Sequence, residues 1–239
     1  MDLVNVAVEV NNRIDAARKK SLYRDDPVLW AQDIAGVHLW SAQRKVAESI
    51  RDNQNVAVKA GHSVGKSFLI ALLVCWWVDT RYPDCFVAST APSQAQIGAI
   101  VWREVDRVRT AIAKRYRDGL IDHQLPGYIT RGQYPEWKDD NGIPIGFGRK
   151  PPDSSQSGDS FQGIHAPGGV LAIGDEAVGL TEELIDALGN ISTTKNSRRV
   201  LICNPTNPAS HVAKLFKDKP KNWTFHTISV LNSPNFTDE

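Results

Sequence analysis

The sequence carries almost no net charge: 28 Lys and Arg stand against 27 Asp and Glu, a formal +1 over 239 residues. A global basic field for nucleic acid is therefore excluded, and any contact with a polyanion has to come from a local patch. Cysteine is scarce. Cys75, Cys85 and Cys203 lie in apolar segments without metal-ligand spacing, so they read as reduced core thiols of a cytosolic protein. Long hydrophobic runs are missing as well. The longest, Phe68 to Val78, falls short of the roughly 20 residues that a bilayer span needs and reads as a buried helix. The opening MDLVNVAVEV has neither the basic start nor the cleavage site of a signal peptide, and the chain shows no internal repeat. What is present is an ordinary globular composition, 41% hydrophobic and 23% charged, long enough for one large α/β domain with or without a small appendage.

The chain is organised around residues 55–67. Val56, Val58 and Ala60 alternate as a short buried strand, a small-residue turn follows, and Gly65-Lys66-Ser67 stands just before the apolar helix. Strand, glycine turn, GKS and helix is the setting that a phosphate-binding loop requires. Successive backbone N–H groups at a helix N-terminus form an anion cradle, here made by Gly61, His62, Ser63, Val64, Gly65, Lys66 and Ser67. Lys66 is placed to reach the β- and γ-phosphates and Ser67 to ligate Mg²⁺. One departure is plain: the pattern G-x-x-x-x-G-K-[ST] asks for glycine at position 60, where this chain has Ala60.

Residues 1–54 read as a helical N-terminal subdomain or lid, with a basic cluster at Arg18, Lys19 and Lys20, a helix start at Asp26-Pro27, and a helix from Ser41, a candidate N-cap, to Ile50. Gln43 lies on that helix. An amide can serve an adenine edge, yet by itself the position better suits an exposed helical glutamine. Residues 55–231 form the nucleotide-binding core. Cys85–Ser89 is a second buried strand, and a helix from Pro92 to Arg117 places Ile97, Val101, Val105, Val108 and Ile112 on one face. Arg103, Arg107, Lys114 and Arg117 fall opposite, a solvated face or one for phosphates or a neighbouring subunit. Residues 118–168 are rich in Gly and Pro, with short strands at Ile129 and Ile143–Phe147.

A second signature follows. Gly169–Gly174 is an apolar strand ending in Asp175-Glu176. With a phosphate loop upstream, Asp175 fits a Mg²⁺ ligand, and Glu176 fits the carboxylate that activates water against the γ-phosphate. A helix capped by Thr181 leads to the strand Arg199–Asn204, whose polar tip can sense the γ-phosphate or simply form an Asn/Pro turn. A helix from Ser210 to Lys217 and a strand from Trp223 to Leu231 close the core, and 232–239 reads as the start of a linker. Parallel strands separated by helices, with ligand groups at the strand C-termini, predict a three-layer α/β nucleotide-binding fold.

With these residues in place, the chain resembles the ATPase domain of a large terminase subunit, the DNA-packaging motor of tailed bacteriophages. The resemblance covers about residues 28–235. It rests on Trp40…Gln43, Lys59–Ser67, Thr90-Ala91-Pro92-Ser93-Gln94-Ala95-Gln96, Phe161-Gln162-Gly163-Ile164-His165-Ala166, Val170–Ala177 and Cys203-Asn204-Pro205-Thr206. It implies an ASCE/RecA-like P-loop NTPase with a mainly parallel central sheet. It also implies adenine binding by Gln43, coupling of hydrolysis to movement by Asn204, and the cofactors ATP and Mg²⁺. The family often carries a basic residue early in the loop; this chain has His62 there, with Lys59 as a possible substitute. In the family the motor is a ring, usually pentameric, on the portal protein, working with the small terminase subunit on double-stranded DNA in the host cytoplasm. One subunit supplies an arginine to its neighbour's ATP, and here Arg149, with Arg131 behind it, is the expected source. The C-terminal nuclease of full terminases is not expected in this chain. Two other readings stand beside this one: a helicase-like nucleic-acid-remodelling ATPase, and a non-catalytic nucleotide-binding scaffold.

Overall fold

The structure, a computed structural model, describes residues 15, 17–132, 134–150, 161, 163–234 and 236. The expectations for residues 1–14, for the loop 151–160, for Gln162, and for 235 and 237–239 fall outside these residues.

A helix over 17–25 (α1) precedes α2 (Pro27–Trp30), which runs on through a π-helical turn, Ala31–Ala35. Asp26 caps α2 through its carboxylate, accepting from the N–H groups of Val28 and Leu29, and Pro27 occupies the first turn, where its missing N–H costs nothing. Then come α3 (Ser41–Asp52), β1 (Asn55–Ala60), α4 (Lys66–Arg81) and β2 (Cys85–Thr90). Ser41 is not the cap of α3. It is already helical, Trp40 holds the cap position, and no side chain caps this N-terminus. After β2, α5 (Gln94–Gln96), a π-helical stretch (Ile97–Trp102) and α6 (Arg103–Arg117) form one continuous helix, started by a Ser93/Gln96 capping box. The remaining elements are β3 (Tyr128–Ile129), β4 (Glu136–Lys138), β5 (Pro144–Gly148), β6 (Gly169–Gly174), α7 (Glu182–Asn190), β7 (Arg198–Cys203), α8 (His211–Asp218) and β8 (Thr224–Ile228). The last strand is shorter than its sequence pattern, because Val230–Asn232 turns into a 3₁₀ helix. Strand β4 has no signal in the sequence: three residues carry too little alternation to be seen.

Eight strands pair in the order β3-β4-β5-β2-β6-β7-β1-β8. From β5 to β8 every pairing is parallel, while β3 and β4 add an antiparallel edge. Strand β7 is inserted between β1 and β6, so three strand tips meet at one place. Helices cover both faces. Trp30, Trp40, Val46, Trp76, Val105 and Ile112 belong to the core on one side, and Phe161, Leu184, Leu188, Leu201 and Val212 to the core on the other. The α2–α3 region thus shares the main core with α4 and α6. Helix α4 is the middle of this packing, buried at every position from Leu69 to Val78. A helix apolar all round has to sit inside. Its indoles are satisfied there: Trp76 Nε1 donates to the Tyr23 carbonyl at 2.7 Å and Trp77 Nε1 to the Gly169 carbonyl at 3.3 Å. Cys75, Cys85 and Cys203 are free and buried, and burial pushes the Cys85 thiol up to about 12. Among the described residues no helix is long and apolar enough to cross a membrane.

One polar clasp ties the helices together away from the strand tips. His123 Nε2 lies 3.1 Å from both oxygens of Asp79 on α4, and its Nδ1 lies 3.0 Å from Asp122. Asp122 also accepts from Lys19 of α1 at 2.7 Å, and Asp79 from the Trp30 indole at 2.7 Å. The hydrogen bond to Asp79 outweighs burial and lifts the His123 imidazole from 6.5 to about 9. A group whose pKa is raised on folding stabilises fully below its unfolded value and loses that contribution as pH rises through its folded value. Urea midpoints are therefore expected to fall between pH 6.5 and pH 9, by about 1 kcal/mol once solvent screening of this part-exposed ring is allowed for. His123→Ala should flatten that slope; an unchanged slope in the variant would assign it elsewhere.

Candidate nucleotide-binding site

The site is built at the C-terminal ends of β1, β7 and β6. Strand β1 ends at Ala60, a buried residue paired with Ile228 of β8. Ala60 serves here because the strand is still extended at that point; the left-handed residues of the loop come later, at Ser63 (φ 59°) and Gly65 (φ 80°). Gly61 donates its N–H to the Ile228 carbonyl at 3.1 Å, and a Cβ on it would stand 2.3 Å from Val230. Gly65 is required twice over. It is the N-cap of α4 in a left-handed conformation, and a Cβ there would stand 2.7 Å from the Gln43 amide nitrogen. His62 and Ser63 are exposed, Val64 is buried, and Ser67 is half-buried in the first turn of α4.

Lys66 opens α4 and turns its ammonium back over the loop. Its Nζ donates to the Gly61 carbonyl at 2.9 Å and to Asn204 Oδ1 at 2.6 Å. Both partners are neutral, so the cation is oriented without being neutralised. Asn204 follows β7, the strand between β1 and β6, which is why its buried amide reaches Lys66 on one side and lies 3.3 Å from His62 Nδ1 on the other. Lys59 does not stand in for a basic residue in the loop: its Nζ lies 5.2 Å from the centre of the Phe216 ring on α8.

Across the same tips, β6 delivers Asp175 and Glu176. Asp175 is 3% exposed, and its N–H donates to the Thr90 carbonyl at 2.9 Å. Burial pushes its carboxyl up to about 6; the charge of Glu176 adds to this, and the Lys66 ammonium opposes it. The amine and the acid therefore feel each other across one cleft. Glu176 adopts φ 46°, uncommon for a side-chain-bearing residue, as the chain leaves β6 for a 3₁₀ turn at Ala177–Gly179.

Gln43 is buried, not solvated. Its amide points at the phosphate loop, 3.5 Å from the Val64 carbonyl, so α3 braces the loop from behind. Arg149 follows β5 and is not gathered with the others: its guanidinium lies 2.9 Å from Glu136 and 4.2 Å from the Phe147 ring centre. Arg131 is exposed in the β3–β4 turn. One residue without an assigned role in the sequence is notable. Thr90 ends β2 beside β6, is fully buried, and has a hydroxyl without a partner; only its place in the Thr90-Ala91-Pro92 segment pointed to it.

These residues fit a magnesium–triphosphate unit. The loop offers a glycine-dependent turn into a helix N-terminus, Lys66 is an unneutralised cation, and Asp175 is a buried carboxylate held at high energy without a bound cation. No group of three or more His, Cys, Asp or Glu able to hold a metal occurs among the described residues. A divalent ion here would therefore take Ser67 and Asp175 together with phosphate oxygens, the usual arrangement for Mg²⁺.

No family model and no curated protein matches the sequence. The fold does have solved counterparts. The large terminase of a thermophilic bacteriophage, in complex with ADP, is 16% identical, with a TM-score of 0.55 over 82% of this chain and 47% of that one. The large terminase ATPase domain of a Thermus phage is 13% identical, with a TM-score of 0.53 over 84% of this chain and 85% of that one. Dbp5 of S. cerevisiae, in a complex with nup159, gle1, IP6 and ADP, is 15% identical at a TM-score of 0.50, over 84% of this chain and 51% of that one. The chain spans about half the length of the first of these terminases, 45–47% in two of its structures. In fold, this chain is an α/β P-loop domain of the kind found in the ATPase domains of phage large terminases.

Proposed function

We propose that the domain hydrolyses ATP as the motor of a viral large terminase, driving double-stranded DNA through a portal into a procapsid. The observation that carries the ATPase reading is the meeting of Lys66, Asn204 and the Asp175–Glu176 pair at three adjacent strand tips. The packaging role is supported by the match in extent and fold to an isolated terminase ATPase domain.

In this reading the loop amides and Lys66 grip the β- and γ-phosphates, and Ser67 with Asp175 holds Mg²⁺, which neutralises phosphate charge when bound. Glu176 orients water and accepts its proton. Asn204 gives up or shares Lys66 when a γ-phosphate arrives, so the β7 tip reports phosphate occupancy to the 205–210 loop and α8. Gln43 holds the adenine side of the cleft from α3. A neighbouring subunit's Arg149 is the proposed trans cation, with Arg131 as second choice. To act, Arg149 must leave Glu136, and a surface ion pair of this kind is worth only about 0–1 kcal/mol, so the departure is cheap. Portal protein, small terminase subunit and a pentameric ring in the host cytoplasm complete the proposal. The dbp5-like fold keeps a helicase-type remodelling ATPase as the second reading.

Glu176→Gln is expected to bind Mg·ATP within about threefold of wild type and to lose turnover by about 10²–10³-fold, whereas Lys66→Ala should lose nucleotide binding. Measured with portal, small terminase and DNA present, strand separation in place of DNA uptake would select the second reading. Turnover that survives Glu176→Gln would remove the assigned base.

Asp175→Asn relieves a buried carboxylate. Because its folded pKa is raised, the ionised form costs stability above pH 6. The variant should be more stable without nucleotide by about 1–2 kcal/mol at pH 7.5 in urea melts, while its Mg²⁺-dependent nucleotide affinity falls. A destabilised variant would mean that Asp175 is structural.

Arg149→Ala should leave the turnover of the monomer unchanged and lower that of the assembled ring by about 10³-fold or more. Full activity in the assembled ring would remove Arg149 as the trans group.

A further inference from the structure

Helix α4 joins the nucleotide loop to a second concentration of positive charge. Its sixteen residues span about 24 Å at 1.5 Å per residue. Lys66 lies at one end and Arg81 at the other. Around Arg81 a cavity of about 600 Å³ opens between α1, the last turn of α4, and the N-terminal ends of β2, β6 and β7. This is the opposite end of the sheet from the strand tips that form the nucleotide cleft.

Five cations line the cavity, Lys20, Arg24, Arg51, Arg81 and Arg198, against two acids, Asp25 and Asp84. Two of the cations are answered by neighbouring carboxylates: Arg24 lies 3.6 Å from Asp25, and Arg51 makes two bonds of 2.7 Å to Asp52. The other three have no carboxylate within ion-pair distance among the described residues. Lys20 donates to the Tyr82 carbonyl at 2.6 Å. Arg198 is spread over four carbonyls, those of Ile50, Arg51, Lys195 and Ser197, at 2.7, 2.6, 3.0 and 2.9 Å. Arg81 lies over the rings of Trp77 and Trp76, 3.9 and 4.4 Å from their centres, and donates to the Thr80 hydroxyl at 2.8 Å. These partners hold the side chains in place and leave their charges standing.

We propose that this cavity is a phosphoryl-anion site, in which Arg81, Arg198 and Lys20 bind a phosphate group carried either by a nucleic-acid backbone or by a free phosphorylated ligand. The Arg81 guanidinium can offer a tetrahedral oxyanion paired donors, Arg198 and Lys20 add their charge, and a dianion compensates charge that neutral carbonyls and rings cannot. The electrostatics agree: burial, and then the charge of Arg198, bring Arg81 down to about 9. A bound anion would reverse that strain. A localised patch of this kind is what a chain of net charge +1 needs in order to meet a polyanion at all. The inference does not rest on the ATPase reading, since none of these residues belongs to the nucleotide cleft.

The test uses the full chain carrying Lys66→Ala, so that the phosphate loop is disabled, and titrates inorganic phosphate at constant ionic strength by calorimetry and ³¹P line broadening. Phosphate is expected to bind with a dissociation constant in the low millimolar range. Lys20→Gln with Arg24→Gln, both solvent-facing, should weaken it by about fivefold or more without moving the urea midpoint. Arg81→Lys, which keeps the charge and loses the fork, should weaken it as well. A 12-base-pair duplex that displaces the phosphate assigns the source to a nucleic-acid backbone; a duplex that does not displace it assigns a free phosphorylated ligand. The proposal is overturned if phosphate binds no better than chloride, or if its affinity is indifferent to these substitutions.

Discussion

A single ammonium sets the terms of this structure. Lys66 is held by a carbonyl and an amide oxygen, which point it and do not discharge it. Facing it is a carboxyl that burial drives toward its neutral form and that the ammonium partly restrains. In the proposed reading, a cleft with one undischarged cation and one reluctant acid suits a ligand that brings both anionic oxygens and a divalent metal. Such an arrangement costs folding energy while nothing is bound, and it is tolerable here because the surrounding core is large and tightly packed.

Sheet order makes the arrangement possible. Because β7 lies between β1 and β6, the residue after β7 falls between the phosphate loop and the acidic pair. Asn204 can then touch both the Lys66 ammonium and the His62 ring. Of the three non-glycine left-handed residues among the described ones, Ser63 and Glu176 stand at this end of the sheet, while Lys219 closes α8 elsewhere.

Helix α4 carries the mechanical burden. It is apolar on every side from Leu69 to Val78, so it runs through the core from the C-terminal ends of the strands to their N-terminal ends. Its first residue serves the phosphate loop and its last, Arg81, serves the basic cavity. Around its flank, Asp79, His123, Asp122 and Lys19 bind α1 and the segment after α6 to it.

Much of this was legible in the linear sequence, and for a local reason. Period-two and helical patterns, a glycine before Lys66-Ser67, an acidic pair after an apolar strand, the cap at Thr181 and the helix starts at Asp26-Pro27 and Ser210 are all written within a few residues of each other. They specify elements and the chemistry at their ends. They were silent on β4, too short to alternate visibly, and wrong about Ser41, whose capping chemistry the chain does not use. Gln43 looked like a solvated helical residue until α3 was seen to lie against the loop. Arg149 was named from the sequence as the arginine for a neighbour's nucleotide, with nothing there to show that Glu136 on the neighbouring strand pairs with it. The five cations of the basic cavity are spread from Lys20 to Arg198, with no run or motif to join them. Local chemistry was thus determined by the sequence alone. Which ends meet was decided only by the tertiary structure, because strand neighbours are chosen by hydrogen-bond ladders and core packing between segments that no short window contains.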